Sequence, residues 1–285
     1  MKYSEYRPPE LLAPFVECLW FASDSAAPAV GAPSERILPD GCLEWIFHLG
    51  APYRRWMPDG RAVLQPRSFV VGELSRYLLL QPTGAVATMG VRFRPGGAYR
   101  FLPMPLSELT DAQVPAAEVW GAGGREIEDR VLAARGAERR RRLVEEFLAC
   151  RLTAAAPRPR LESAVADILR SGGRARVSGI ADRLRWSTRQ LEREFRAGVG
   201  LAPKELARII RFQNLLRLAG EGALRDWAGL AFEGGYADQP HLVREFRGFA
   251  GVTPGAFGVA ALGDLAGSFL SPGRLDTLLG PPRTE

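Results

Sequence analysis

The hydrophobic pattern of the chain changes character near residue 105. Before that point, short apolar runs are separated by turns rich in glycine and proline, a pattern typical of β-strands. Closely spaced short strands predict a small barrel or sandwich, so residues 1–104 are expected to be β-rich. The expected strands cover residues 11–21, 42–49, 69–71, 78–81 and 86–93, and a short helix is expected over 94–102.

Beyond residue 105, apolar residues recur at helical spacing. Residues 105–152 are expected to be helical because Leu143, Phe147 and Leu148 fall on one face. Residues 153–160 contain two prolines and no periodicity, which predicts a linker. Helices are expected over 161–170, 177–184, 188–197, 203–218, 224–232 and 238–249, and 258–285 form a Gly/Pro-rich tail. The fold class predicted is α+β with two domains, 1–152 and 161–257.

The helical half contains the same short pattern twice. I-A-D-R-L-R-W-S-T-R-Q-L-E-R-E-F-R at 180–196 returns as L-A-F-E-G-G-Y-A-D-Q-P-H-L-V-R-E-F-R at 230–247. Phe195 corresponds to Phe246 at an offset of 51 residues, whereas Trp186 corresponds to Tyr236 at an offset of 50. The second copy therefore has one extra residue in or just after its turn. Two copies are too few for a solenoid, so a duplicated supersecondary unit is the better interpretation.

Each copy has the anatomy of a helix-turn-helix unit, whose second helix enters the major groove of DNA. Outward side chains of that helix are candidates for reading bases, since arginine binds guanine and glutamine binds adenine through two hydrogen bonds. These candidates are Thr188, Arg189, Glu192, Arg193, Gln239, His241, Val243 and Arg244. Further arginines are candidates for phosphate contacts: Arg196, Arg208, Arg211, Arg217 and Arg247.

Two alternatives stay open for these residues. Arg193 and Arg244 have glutamates nearby that offer salt bridges instead: Glu192, Glu194 and Glu245. His241 suits a phosphate contact or a helix cap as well as a base.

The helix expected between the two copies suits a rigid connection. At 1.5 Å per residue, a helix over 203–218 is roughly 24 Å long. Such a helix, called the strut below, would hold the second helices of the two units, the reading helices, about one DNA turn apart, roughly 34 Å. One chain would then read two successive segments of the major groove.

The motifs of the helical half resemble the DNA-binding domain of the AraC/XylS family of bacterial transcriptional regulators. The resemblance covers residues 161–257 and is strongest in G-Y-A-D-Q-P-H-L-V-R-E-F-R-G-F-A-G-V-T-P-G-A-F at 235–257. The first copy matches as well, with Ala202 before Pro203 where the family often has serine. The resemblance implies binding to double-stranded promoter DNA and contact with RNA polymerase.

The first half resembles, more weakly, the effector domain of one subgroup of that family. The matching motifs are L-P-D-G-C-x-E at 38–44 and G-V-R-F-R-P-G-G at 90–97. The wider family implies a cupin-like barrel followed by dimer-forming helices, here residues 126–152. A small-molecule effector and a homodimer are implied partners.

Composition is consistent with this interpretation. The 285 residues carry a formal net charge of +6, which permits an anionic partner without requiring one. The cysteines, Cys18, Cys42 and Cys150, are scattered and odd in number, as expected in a reducing cytoplasm. Neither a signal peptide nor a membrane-spanning run is expected.

Catalysis and metal binding are not expected. A cupin metal site needs several histidines, and the chain has only His48 and His241, so no cofactor and no metal is predicted. Glu44 and His48 share a face of a strand-like run that suits the barrel interior. Other candidates for lining a pocket are Trp20, Arg36, Trp45, Arg92 and Arg94. Ordinary packing is the favoured interpretation, and no effector site is assigned. The alternative function is a small-molecule sensor or enzyme whose helical domain binds a protein.

Overall fold

The computed structural model describes residues 2–24, 34–152, 156–219 and 227–257. A β-rich domain of ten described strands is followed by a helical C-terminal region, as the predicted fold class requires. The expected tail at 258–285 lies outside the described residues.

The strands form two antiparallel sheets. They are β1 Lys2–Tyr6, β2 Val16–Asp24, β3 Glu35–Ile37, β4 Glu44–His48, β5 Tyr53–Trp56, β6 Ala62–Leu64, β7 Ser68–Val71, β8 Leu78–Pro82, β9 Val86–Phe93 and β10 Gln113–Pro115. The large sheet has the order β1-β2-β9-β4-β7-β10, and the small sheet has the order β3-β8-β5-β6. Both sheets contribute side chains to one cavity that lies between them, so the β-rich half has the interior expected of a small barrel.

The large sheet has a different partner on each face. Along β9, Thr88 and Arg92 line the cavity, whereas Val91 and Phe93 pack into the apolar cluster that contains the first helices. Successive side chains of a strand point to opposite faces, so β9 is buried on both sides. This explains why its sequence is almost continuously apolar.

Several details of the predicted β-rich half were wrong. The strand expected over 11–21 begins only at Val16, because the chain from Pro9 first makes a helical turn with Leu12 N–H bonded to Pro9 C=O. The helix expected over 94–102 is a single 3₁₀ turn at Ala98–Arg100. Strand β10 lies within residues 105–152, which were expected to be helical. The strands β1, β3, β5, β6 and β10 were not predicted, because they are short and mostly lack an apolar run.

The helices follow the predicted periodicity closely. They are α1 Ala116–Trp120, α2 Ala122–Ala133, α3 Ala137–Arg151, α4 Pro159–Arg170, α5 Val177–Leu184, α6 Thr188–Gly198, α7 Pro203–Leu218, α8 Trp227–Glu233 and α9 Gln239–Ala250. The bounds of α5 and α7 are those predicted from the sequence. The first residues of the helix expected over 224–232 lie outside the described residues.

The two halves of the chain are packed directly against each other. Leu38 belongs to the same buried cluster as α4 and α7, and Gln213 of α7 donates to the carbonyl of Pro39 at 2.5 Å. Tyr77 N–H donates to the carbonyl of Phe249 at 3.0 Å. The β-rich half is therefore in contact with the helical half through buried groups as well as through the chain connection.

Gly173 is required where α4 ends against α7. Its φ of +77° lies in the left-handed region, and a Cβ there would come within 2.1 Å of the carbonyl oxygen of Ala207. We expect Gly173→Ala to lower the free energy of unfolding by about 2–3 kcal/mol through strain and overlap. Urea unfolding measures this change.

Gly179 provides the matched control. It is exposed within α5 and has open space around it, so Gly179→Ala should be neutral or stabilise by up to about 1 kcal/mol. Equal stability of the two variants would contradict the close approach at Gly173.

Candidate nucleic-acid interface

The first helix-turn-helix unit consists of α5, a tight turn and α6. Arg185 ends α5 with a left-handed φ of 53°, and Trp186 N–H then bonds to the carbonyl of Ala181 at 2.9 Å. The Ser187 hydroxyl caps α6 by accepting from Gln190 N–H at 3.2 Å, the usual role of a serine at this position. Leu191 and Phe195 are fully buried, which fixes the outward face of α6.

The second unit, α8 to α9, repeats this geometry. Gly235 takes the left-handed position with φ 75°, and Tyr236 N–H bonds to the carbonyl of Ala231 at 2.8 Å. Asp238 caps α9 by accepting from His241 N–H at 2.7 Å. The turn bond keeps the offset of 50 and the cap has the offset of 51, so the extra residue of the second copy is Ala237. The extra residue therefore lies just after the turn, which is one of the two places predicted.

In α6 the base-reading candidates are at the surface. Thr188, Arg189 and Glu192 are exposed, and the Arg193 side chain is 72% exposed with Nη2 at 3.4 Å from Glu194 Oε1. Such an exposed pair contributes little, so it leaves Arg193 available. The outward face is flanked by the β-rich half, because Pro105 and Ser107 share a groove with Arg189, Glu192, Arg193 and Arg196.

In α9 the candidates divide into two groups. Gln239, Arg244 and Arg247 are exposed, whereas Val243 is half-buried against the core. His241 has local partners: its Nδ1 accepts from Ala237 N–H at 3.3 Å. His241 thus lies in the first turn of α9 and bonds back to the turn of its own unit, in line with the alternative of a helix cap.

Two arginines proposed as phosphate ligands are held by a buried glutamate. Glu245 of α9 accepts from Arg208 Nε at 2.5 Å and from Arg211 Nη2 at 3.2 Å, both of which belong to α7. Arg217 is half-buried and donates to Asn214 Oδ1 at 3.0 Å. The Glu245 cluster, defined as Arg208, Arg211 and Glu245, therefore anchors the second reading helix to the strut.

Three basic residues were missed by the sequence analysis. Arg174, Arg176 and Lys204 are exposed and line the groove between the two units, beside Arg208 and Arg211. Arg174 and Arg176 stand just before α5, and Lys204 is in the first turn of α7. Their positions at or just before the N-terminus of a helix were the sequence signal that could have identified them. Helix N-termini and nearby cations attract phosphate.

The cavity of the β-rich half is lined by some of the proposed pocket residues but not all. Trp20, Arg36, Glu44, His48 and Arg92 line it. Trp45 was wrongly included because it faces the helices, 4.5 Å from the Trp120 ring centroid. Arg94 was also wrongly included, since its Nε donates to the carbonyl of Ala13.

Residues 2–24, 34–152, 156–219 and 227–257 contain no group of three or more His, Cys, Asp or Glu side chains placed to hold a metal ion. None of their helices has the length and apolar character needed to span a membrane.

Two families match separate parts of the chain. Residues 4–115 match a domain of unknown function, DUF6597, and residues 180–258 match the family described as a helix-turn-helix domain. The C-terminal region is therefore a helix-turn-helix domain, which makes the chain a DNA-binding transcription regulator. This domain is of the AraC type, the type that the motifs of both repeats resemble. Regulators of this type are normally not enzymes.

Comparison with whole proteins adds remote similarities only. The chain matches no curated protein sequence. Among solved structures it is similar to ToxT from Vibrio cholerae at 1.65 Å resolution, with 11% identity, a TM-score of 0.47, and coverage of 83% of this chain and 97% of that one. It is also similar to ToxT bound to (E)-4-(8-methylnaphthalen-1-yl)but-3-enoic acid, with 12% identity, a TM-score of 0.45, and coverage of 83% and 97%.

Proposed function

We propose that this protein regulates transcription initiation at bacterial promoters by sequence-specific binding to double-stranded DNA. The observation that supports it best is the matched geometry of the two units: the same turn bond, the same cap position, and an exposed arginine at equivalent points of α6 and α9. Arg193 and Arg244 each read a base in successive segments of the major groove. The α7 strut sets the distance between them.

The remaining basic residues position the protein on the phosphates. Arg196 and Arg247 are exposed at the ends of the reading helices, and Arg174, Arg176 and Lys204 add positive charge between the units. Phosphate contacts supply affinity without reading sequence. Since each phosphate contact releases counterions from the DNA, the logarithm of the binding constant falls steeply as the logarithm of the salt concentration rises.

The first half has the regulatory role in this proposal. Residues 1–152 receive a small-molecule effector or form a homodimer through helices in 126–152, residues 153–160 connect, and residues 161–257 bind DNA and contact RNA polymerase in the cytoplasm. Direct packing of Leu38 and Gly41 against α7 supports a regulatory role for the first half, because a change there reaches the DNA-binding domain without crossing the linker.

Alanine substitution of the two matched arginines tests the assignment. A cognate site is first selected from genomic fragments bound by the protein, and its affinity is measured by fluorescence anisotropy over a range of salt. We expect Arg193→Ala and Arg244→Ala each to cost about 1–3 kcal/mol and to relax preference at one base position. Each of these side chains is exposed, so the fold should be unaffected.

Arg61→Ala is the control for net charge, because Arg61 is an exposed arginine between β5 and β6, outside the segments proposed for DNA binding and dimer formation. It should leave affinity almost unchanged. If both variants bind the cognate site as tightly as the wild type, the base-reading assignment fails. If no genomic fragment is bound with a steep salt dependence, the alternative of a sensor or enzyme whose helical domain binds a protein takes its place.

A further inference from the structure

The cavity between the two sheets has the features of a built ligand site. Its volume is about 70 Å³, enough for several waters or a small organic molecule. The apolar part of its wall includes the rings of Trp20 and Phe69 and aliphatic side chains such as Leu38, Ile46 and Leu80. Mostly apolar walls with a few convergent polar groups are typical of small-molecule sites.

Four polar atoms of the cavity wall are buried without a hydrogen-bond partner in the described part of the chain. They are His48 Nδ1, Tyr53 OH, Thr88 Oγ1 and Gln113 Nε2. Three of them are close together, because His48 lies directly opposite Thr88 in the register of β4 and β9 and the His48 and Tyr53 rings are 5.7 Å apart. Buried polar groups usually have partners, so this group is suited to bonding a bound molecule.

The tautomer of His48 defines which hydrogen-bonding group a bound molecule must carry. Nε2 of His48 lies 3.1 Å from Gln65 Oε1, so it carries the proton and donates to the amide oxygen. Burial lowers the pKa of His48 to about 4, which keeps the ring neutral at physiological pH. Its Nδ1 is therefore a hydrogen-bond acceptor, and it calls for a hydroxyl or N–H donor on the ligand.

The charged residues of the wall favour an uncharged ligand. Arg92 is buried and pairs with Glu44 at 2.7 Å, so its charge is compensated within the protein. Arg36 is directed to the helical half, where it donates to the carbonyl of Ala250 at 2.6 Å. A carboxylate in the cavity would meet Glu44 and Asp40 without a cation of its own, and burying such a charge is costly.

We propose that this cavity binds an uncharged, single-ring aromatic molecule carrying a hydroxyl or N–H group, and that its binding alters DNA affinity. The ring packs among the apolar and aromatic side chains, its donor bonds to His48 Nδ1, and Thr88 and Tyr53 complete the polar contacts. The regulatory part rests on the proposed function as a DNA-binding regulator.

The route from cavity to DNA-binding domain is the segment 38–42. Leu38, Asp40 and Cys42 line the cavity, while the intervening residues touch α7. The Pro39 carbonyl accepts from Gln213, and a Cβ on Gly41 would lie 3.0 Å from Leu206 Cδ1. Because Gly41 has no side chain, its backbone packs directly on α7. A ligand that displaces this segment therefore pushes it against α7, the helix that joins the two helix-turn-helix units.

Titration calorimetry on the full chain, with phenol as the probe, tests the ligand class. Benzene is the matched probe that lacks the hydrogen-bond donor, and benzoate is the matched probe that adds a negative charge. We expect phenol to bind at least about tenfold more tightly than benzoate. Thr88→Val, which keeps the shape of the side chain, should weaken phenol by about fivefold to tenfold and leave benzene unchanged. Tyr53→Phe gives a second isosteric variant with the same expectation.

Three results would overturn the ligand class: no heat from phenol, benzoate binding as tightly as phenol, or phenol affinity unaffected by both variants. The regulatory part is tested by anisotropy on the cognate DNA, where saturating phenol should change the dissociation constant by about fivefold or more. Phenol binding with unchanged DNA affinity would refute that part. Calorimetry uses no DNA and the reference DNA titration uses no phenol, so failure of the ligand site and failure of the proposed function give separate signals.

Discussion

Glu73→Gln is expected to stabilise the protein strongly at neutral and alkaline pH. The Glu73 side chain is 2% exposed, its Oε2 has no hydrogen-bond partner among the described residues, and it lies against Gly200 at the contact between the two halves. Burial alone raises the pKa of this carboxyl to about 8. The folded state therefore holds a proton that the unfolded state releases above its ordinary pKa of 4.5.

The sign and size of the effect follow from proton linkage. Because the folded pKa is raised, the stabilisation is complete below pH 4.5 and is lost as pH rises towards 8. At pH 7 the loss amounts to about 3 kcal/mol, from 1.36 kcal/mol per pKa unit. Glutamine resembles the protonated acid and does not titrate, so Glu73→Gln should unfold at higher urea at pH 7–8 and close to wild type at pH 5.

Glu108→Gln is the control for this measurement, since Glu108 is exposed on the 3₁₀ turn Leu106–Glu108. Its pH profile should follow the wild type. His48 has the opposite dependence, because its pKa is lowered to about 4 by burial and stability is lost as pH falls from 6.5. The His48 contribution is the same in the wild type, Glu73→Gln and Glu108→Gln, so it cancels when their stabilities are compared. Parallel profiles for Glu73→Gln and wild type would show that the buried acid does not titrate as expected.

Glu245→Ala is expected to destabilise the second helix-turn-helix unit. The carboxylate is 8% exposed and binds two arginines of α7, of which Arg211 is only 16% exposed. Removing it leaves Arg211 as a largely buried cation without a carboxylate partner, which costs about 3 kcal/mol. Thermal unfolding measures the loss, and hydrogen exchange should report it first in α9.

A double-mutant cycle separates the ion pair from packing. Arg211→Ala alone leaves Glu245 bound to Arg208, and the double variant removes the unpaired charge, so it should be more stable than the sum of the two single losses by about 1 kcal/mol or more. Glu233→Ala is the matched control, because Glu233 is exposed at the end of α8. Additive losses would contradict a coupled Glu245 cluster.

The sequence by itself determined the helical half almost completely. The bounds of α5 and α7 and the approximate place of the extra residue, in or just after the second turn, were readable because they depend on neighbours within a few positions. Apolar periodicity, an N-cap serine or aspartate, and a proline at the start of a helix are local signals. The repeat made the signals of the two units stronger, since the pattern occurred twice.

Only the tertiary structure decided which faces and partners the remaining residues have. Trp20 and Trp45 look alike in sequence, yet one lines the cavity and the other packs on Trp120, because strand register selects the face. Glu245 meets Arg208 and Arg211 across 34 to 37 positions, and Gly41 meets Leu206 across the two halves. Such contacts join residues far apart in the chain, so their energies depend on how whole elements pack and leave no periodic signal along the sequence.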